Sequence, residues 1–261
     1  MHFELIKKYF RTVKIVFTIL LIFVLLDFLI PLPKPKEFSK EIHAKDGTLL
    51  TAYLTSDDKW RLRTELEEVS PELIKAIIEK EDSWFYWHLG INPVSIIRAL
   101  YVNIISGEVE SGASTITMQV ARMLEPKRRT YLYKIREMFR ALQLEIKYSK
   151  EEILELYLSL LPFGGNIEGV KSASYIYFNR PPSKLSLAQA ITLAVIPNDP
   201  NNLRLDRKQT NYVIPGSEAT RKSDNQNSLS DSEQVGMTRI NSNSIIDKRN
   251  YWIKKFKKDE I

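Results

Sequence analysis

The sequence predicts a mostly α fold: one transmembrane helix, then a short β-hairpin region, then a helical domain. Three observations carry this. The chain opens with a long apolar run. An Asp-Gly pair separates two short apolar-rich segments near residue 47. From Ser70 to Ile196, apolar residues recur at spacings of three and four between capping residues.

The 261 residues suffice for one domain with appendages. With 44% apolar and 27% charged residues, the chain is neither disordered throughout nor a polytopic membrane protein. There are no cysteines, which excludes disulfides and thiolate metal sites. Histidine occurs only at positions 2, 43 and 88, too few for a multi-histidine centre. The net charge of +6 lies in the ends. Residues 1–40 hold seven Lys/Arg against three acids, residues 215–261 nine against seven, and residues 41–214 twenty-two of each. A neutral middle is the wrong distribution for a nucleic-acid footprint, so no nucleic-acid partner is expected.

Residues 1–36 read as a cytoplasmic N-terminus and anchor. Ile15–Leu26 is uncharged, and Phe28–Ile30 continues it past Asp27. Sixteen helical residues span roughly 24 Å, short of a ~30 Å hydrocarbon core. Val13 extends the run if Lys14 snorkels outward. Pro31-Leu32-Pro33-Lys34-Pro35 follows, without a small-residue cleavage site, so an uncleaved anchor is expected rather than a signal peptide. Lys7, Lys8, Arg11 and Lys14 precede the run and outnumber Lys34, Lys36 and Lys40 after it, a moderate bias that favours a cytoplasmic N-terminus with the remainder outside the cytoplasm.

Residues 37–213 form the expected domain. Phe38–Thr64 reads as short strands, with Asp46-Gly47 as a hairpin turn. Ser70-Pro71 and Asn92-Pro93 each pair a cap with proline at the first helical position. Ser114 or Thr115 can cap a third helix. A longer helix runs from about Thr130 to Lys147, with Leu132, Ile135, Phe139, Leu142 and Ile146 as the expected core-facing seam. Ser149 and Glu152 form a capping box for the next helix. Pro162–Asn166 reads as a loop, and helices follow around Val170–Tyr177 and Leu187–Ile196. Residues 214–261 are expected to be a disordered, low-complexity tail, because the polar stretch 215–245 buries too little to offset ordering entropy.

Three segments carry chemistry. In EDSWFYWHLG, Glu81 falls on the apolar side of its helix, before Trp84 and Phe85. Desolvation there would raise its pKa and suit acid/base work. A salt-bridged helix end explains the pattern as well, and the pattern alone favours that reading. In GASTITMQVAR, a glycine-led loop entering a helix offers backbone N–H groups to an anion, with Gln119 and Arg122 on one face. An ordinary capped helix fits equally. Between Arg122 and Lys150 stand nine cations and three acids, suited to a phosphate-bearing ligand or to a solvated face. Glu137, flanked by Lys134 and Arg140, reads by itself as part of a surface ion-pair ladder.

Together these segments resemble glycosyltransferase family 51, the peptidoglycan polymerase module of class A penicillin-binding proteins, over roughly residues 40–205. EDSWFYWHLG is similar to the family's first signature, E-D-x-x-F-x-x-H-x-G, and GASTITMQVAR to its second. Lys134 and Glu137 match the third, R-K-x-x-E. ILELYLSLLPFGGNIEGVKSAS and LSLAQAITLAVIPNDPN are similar to the fourth and fifth. The PFGG loop and KIREMFRALQLE resemble the penicillin-binding protein 1C branch. Arg122 stands where the family has lysine, Tyr133 where it has arginine and Ser159 where it has asparagine.

The resemblance implies a lysozyme-like helical fold of two lobes. It implies an inverting glycosyltransferase that joins lipid-linked disaccharide-pentapeptide units, lipid II, onto a lipid-linked growing glycan and releases undecaprenyl pyrophosphate. Glu81 would be the base and Glu137 the second catalytic carboxylate. Asp82, His88, Ser114, Thr115, Gln119, Arg122 and Lys134 would bind substrate. No cofactor is obligatory, although the resemblance allows a divalent cation such as Mg²⁺ at Glu137. The implied partners are the cytoplasmic membrane and other cell wall synthesis proteins. The match stops near residue 210, so no transpeptidase activity is expected of this chain. A lysozyme-like hydrolase and a catalytically weak membrane scaffold are the competing readings.

Overall fold

The computed structural model describes residues 2–107, 114–128, 130–203, 205 and 247–256. They fall into two compact units, Met1–Pro35 and Lys36–Ile261. The first is a single helix, α1 (His2–Leu29), whose Lys7–Leu29 stretch is long and apolar enough to cross a membrane.

The second unit is mostly helical. Strands β1 (Glu41–His43) and β2 (Leu49–Ala52) pair antiparallel around Gly47, whose φ of +83° suits a residue without Cβ. β3 (Trp60–Arg61) pairs parallel with β5 (Ile167–Glu168), which pairs antiparallel with β4 (Pro162–Gly164). The segment 162–166, expected as a loop, is therefore largely one arm and the turn of a small hairpin. Gly164 and Gly165 supply the positive φ values that let it fold back. Arg61 is fully buried beside this sheet. Its Nε donates to Glu168 at 2.7 Å, and its guanidinium also reaches Asp57 at 2.7 Å and the Glu37 carbonyl at 2.7 Å. Burial works against its charge, but these carboxylates raise its pKa overall.

The helices are α2 (Pro71–Glu81), α3 (Pro93–Ser106), α4 (Ile116–Leu124), α5 (Tyr131–Lys147), α6 (Lys150–Leu160), α7 (Val170–Phe178), α8 (Leu187–Val195) and α9 (Pro200–Leu203). Their starts follow the sequence signals. Asn92 Oδ1 accepts from Ser95 N, Thr115 Oγ1 from Met118 N, and Thr130 Oγ1 from Tyr133 N. Ser149 and Glu152 complete the expected capping box. Ser70 occupies the cap position of α2, but its hydroxyl makes no capping bond. α2 packs on α8, and α4 packs on both α5 and α6. The core gathers Leu73, Ile77, Ile116, Met118, Leu144, Ile153, Leu154 and Ile191. Of the expected tail, residues 214–246 lie outside the described residues. Residues 247–256 form a helix, α10, with Phe256 buried.

One expectation is overturned. The apolar seam of α5 is not its buried face: Leu132 is 80% exposed, and Ile135 and Ile146 are also exposed. The helix instead buries Tyr133, Glu137, Arg140, Ala141 and Leu144. With Gln143, also buried, these form one face of the helix that mixes polar and apolar residues. The polar members are tolerated because they bond one another and their neighbours. Arg140 donates to Gln143 at 2.9 Å and to Glu125 at 3.4 Å, and Glu137 accepts from Lys134 at 3.1 Å. Periodicity of hydrophobicity cannot see a face buried for its polarity.

Gly169 tests the packing. Its φ is +90°, and a Cβ there would lie 2.7 Å from the Ser159 carbonyl oxygen. Gly169→Ala should lower the unfolding free energy by about 2–4 kcal/mol in urea titrations of the detergent-solubilised chain. Gly47→Ala, with open space around it, should lose only about 1–2 kcal/mol.

Candidate active site

The site forms where the end of α2 meets the start of α4. Asp82 ends α2 with φ of −162°, so the chain turns out of the helix directly after Glu81. The buried Asp82 carboxylate then accepts from Ile116 N at 3.1 Å and from His88 Nε2 at 2.9 and 3.0 Å. One acid thus holds the entry of α4 and the loop 83–90 together. Thr115 adds to this by donating its hydroxyl to the Gly90 carbonyl at 2.6 Å. Gly90 has φ of +75°, and a Cβ would press on Glu145 and the Ala141 carbonyl at 2.9 and 3.0 Å, so α5 lies flush against this loop.

That junction places Glu81 beside Gln119. Glu81 Oε2 accepts from Gln119 Nε2 at 3.0 Å, and Oε1 accepts from Lys80 Nζ. Lys80 also donates to Asn198 Oδ1 at 2.7 Å. Trp84 is 62% exposed, so it supplies little of the desolvation expected around Glu81; Phe85 is fully buried. Glu81, Asp82, Trp84, Ser114 and Thr115 line a cavity of about 380 Å³, with Arg98 of α3 and Trp252 and Lys255 of α10 also on its wall.

A second cluster lies on α5. Lys134 Nζ donates to Ser114 Oγ at 2.5 Å and to Glu137 Oε2 at 3.1 Å. Glu137 is 4% exposed, so it is a buried partner of Lys134 rather than a rung of a surface ladder. Arg122 has no hydrogen-bond or ion-pair partner among the described residues, although it acts electrostatically on Tyr133 and Tyr157. Tyr157 of α6 is fully buried. Burial pushes its hydroxyl pKa well up; Glu81 and Asp82 add to this and Arg122 opposes it, so the phenol sits in the field of both the acid and the cation sides of the site.

Most of the expected residues therefore fall into three sets. Glu81 meets Gln119. Asp82 meets His88 and the start of α4, where Thr115 holds Gly90. Lys134 joins Ser114 and Glu137. Arg122 stands outside these sets. The helix entry expected to offer free N–H groups is already occupied in part: Ile116 N is taken by Asp82 and Met118 N by Thr115. The helix start has recruited an internal anion, which its dipole favours. Gly112 and Ala113 of the same segment lie outside the described residues. Among the described residues no three His, Asp or Glu side chains gather as metal ligands. Glu137 faces an ammonium, a poor fit to a divalent ion.

The sequence reading missed Lys80, Asn198, Tyr157, Glu125, Glu145 and Lys150. Glu145 accepts from Thr117 Oγ1 at 2.6 Å and from Lys150 Nζ at 2.7 Å, and Lys150 also donates to the His88 carbonyl at 2.6 Å. Glu125 bonds Lys127 at 2.7 Å, Arg136 at 2.8 Å and Arg140 at 3.4 Å. Its presence inside a run of cations was the available signal, because a lone acid there must be shared.

The transglycosylase family model matches residues 46–222. The chain is 47% identical over 169 residues to penicillin-binding protein 1C of Escherichia coli (strain K12), covering 65% of this chain and 22% of that protein. It is 40% identical over 163 residues to penicillin-binding protein 1A of the same organism, covering 62% and 19%. It is 36% identical over 188 residues to penicillin-binding protein 1A of Aquifex aeolicus (strain VF5), covering 67% and 26%. The chain thus spans about a fifth to a quarter of the length of these relatives.

The Glu125 hub predicts a pH dependence. Burial alone would raise its pKa, but Lys127, Arg136 and Arg140 hold it below the ordinary value of 4.5. The folded protein therefore keeps Glu125 ionised where the unfolded chain takes up a proton. That stabilisation is complete above about pH 4.5 and is lost as pH falls through the lower folded value. Melting temperatures between pH 3 and 6 should fall less steeply toward acid in Glu125→Gln than in the parent.

Proposed function

The chain belongs to the transglycosylase family, and from that premise we propose that it polymerises lipid II into β-1,4 glycan strands with release of undecaprenyl pyrophosphate. The observation that carries this reading is that Glu81, held by Gln119, lines one cavity with Ser114, whose hydroxyl is bonded to Lys134.

In this reaction the acceptor sugar's 4-hydroxyl attacks the anomeric carbon of the lipid-linked growing chain. The C–O bond to pyrophosphate breaks from the opposite face, so an α-linked donor becomes a β-linked product. The hydroxyl proton passes to the Glu81 carboxylate. Two of that group's roughly four acceptor positions are used by Lys80 and Gln119, and the rest remain for the proton. Negative charge grows on the departing pyrophosphate and needs fixed cations. Arg122, without a protein partner among the described residues, and Lys134, exposed enough to leave Glu137, suit that role. Asp82 and His88, bonded to each other, serve to hold the loop; they need not touch substrate. Glu137 orients Lys134. No step is routed through a metal ion.

The substrate and growing product are both lipid-linked, which accounts for a helix able to cross a membrane. The cations preceding the apolar run favour a catalytic domain on the outer face of the cytoplasmic membrane. α3 carries Val94, Ile97, Tyr101, Ile104 and Ile105, an apolar face exposed among the described residues and suited to a bilayer surface. Glycan hydrolysis would present no pyrophosphate to the cation cluster.

Labelled lipid II supplied to the full chain in detergent tests the proposal. Glu81→Gln should lose ~10²-fold or more of the polymerisation rate while remaining folded. Arg122→Ala should lose roughly 10- to 150-fold, and Arg122→Lys much less. Glycan extension at the parent rate by Glu81→Gln would refute the mechanism.

A further inference from the structure

We propose that Lys80 is a positioning residue for the catalytic carboxylate: its ammonium fixes Glu81 against the turn that follows α8 and holds it ready to accept a proton. The proposal rests on the reading of Glu81 as base.

Neighbouring side chains on a helix ordinarily point apart. Here the last turn of α2 brings them together, because the chain leaves the helix at Asp82. The Lys80 side chain is only 5% exposed and lines the same cavity as Glu81. Its Nζ is held there by Glu81 Oε1 and by Asn198 Oδ1 at 2.7 Å. Asn198 belongs to the turn Ile196–Asn198, directly after α8, and α8 is the helix on which α2 packs. Lys80 therefore links the base to the rigid part of the core.

The division of the carboxylate is informative. Oε1 is held by a charged donor from α2 itself and Oε2 by a neutral donor from α4. A carboxylate gripped on both oxygens cannot rotate. The groups that face it are Lys80 and Asp82 from α2 and its cap, Gln119 and Arg122 from α4, Tyr157 from α6 and Asn198 after α8. Among the described residues only Lys80 brings a positive charge into direct hydrogen-bond contact with it. Neutralising Lys80 would leave Glu81 with one neutral donor and free to turn about its Oε2 contact.

The test measures kcat and KM on lipid II for the full chain and four variants. Lys80→Met should lower kcat about tenfold with KM little changed, the cost of a misplaced catalytic group. Lys80→Arg should restore most of it. Asn198→Ala keeps the ammonium but frees it from the turn, so kcat should fall several-fold with KM little changed. Lys80→Met with the parent's kcat would overturn the proposal while leaving Glu81 as base. So would an equal loss in Lys80→Met and Lys80→Arg, or a loss confined to KM, which marks a merely structural lysine. Should Lys80→Met fail to fold, Asn198→Ala decides, and parent turnover in that variant overturns the proposal. Glu81→Gln is the control. If it polymerises at the parent rate, the base reading fails and the role of Lys80 falls with it.

Discussion

The carboxylate of Asp82 joins the end of α2, the loop that carries His88, and the first turn of α4. Each partner needs it for a different physical reason. A helix start has unpaired N–H groups and a favourable potential for an anion. A buried imidazole N–H needs an acceptor. The chain leaving α2 needs a fixed exit. Removing the acid would leave a buried N–H and the His88 ring unpartnered, at about 1–3 kcal/mol for each lost partner. Because Glu81 precedes Asp82 and Gln119 lies three residues after Ile116, this one clamp sets the distance between Glu81 and its neutral donor.

Around that clamp, charge is arranged rather than merely accumulated. Glu125 gathers three cations, Glu145 one, and Glu137 one. Arg122 is left without such a partner among the described residues, on the helix that also carries Gln119. A surface built for solvation would scatter its pairs. Among the described residues the acids hold Lys127, Lys134, Arg136, Arg140 and Lys150 as scaffold and not Arg122. The polar face of α5 is buried for the same reason: it supplies this scaffold.

Much of the architecture was legible because helix starts are written in local chemistry. Thr115, Thr130, Ser149 and Asn92 each announce a helix by side-chain capping, and the structure uses each in that way. Asp46-Gly47 likewise marked its hairpin. The orientation of α5 was not legible, since its buried stripe is polar and its exposed stripe apolar, the reverse of the usual pattern. The hairpin at Pro162–Glu168 was missed because it pairs with Trp60-Arg61, about a hundred residues earlier in the chain. Within the site, the motif residues were legible as a set but their pairings were not. Nothing in the sequence says that Asp82 is spent on His88 and the α4 start, or that Lys80 turns toward Glu81 instead of toward water.

The central claim is that polymerisation depends on a base positioned by the Asp82 clamp. The single-turnover rate of glycan extension by Asp82→Asn, at saturating lipid II, tests it most directly. Asparagine keeps the size of the side chain but removes its charge, and it puts an NH2 group, which cannot accept, in place of one of the two oxygens that face His88 Nε2. The account predicts a folded protein that still binds lipid II and extends it about 10- to 100-fold more slowly, the cost of a misplaced catalytic group. Extension at the parent rate by a folded Asp82→Asn protein would contradict it.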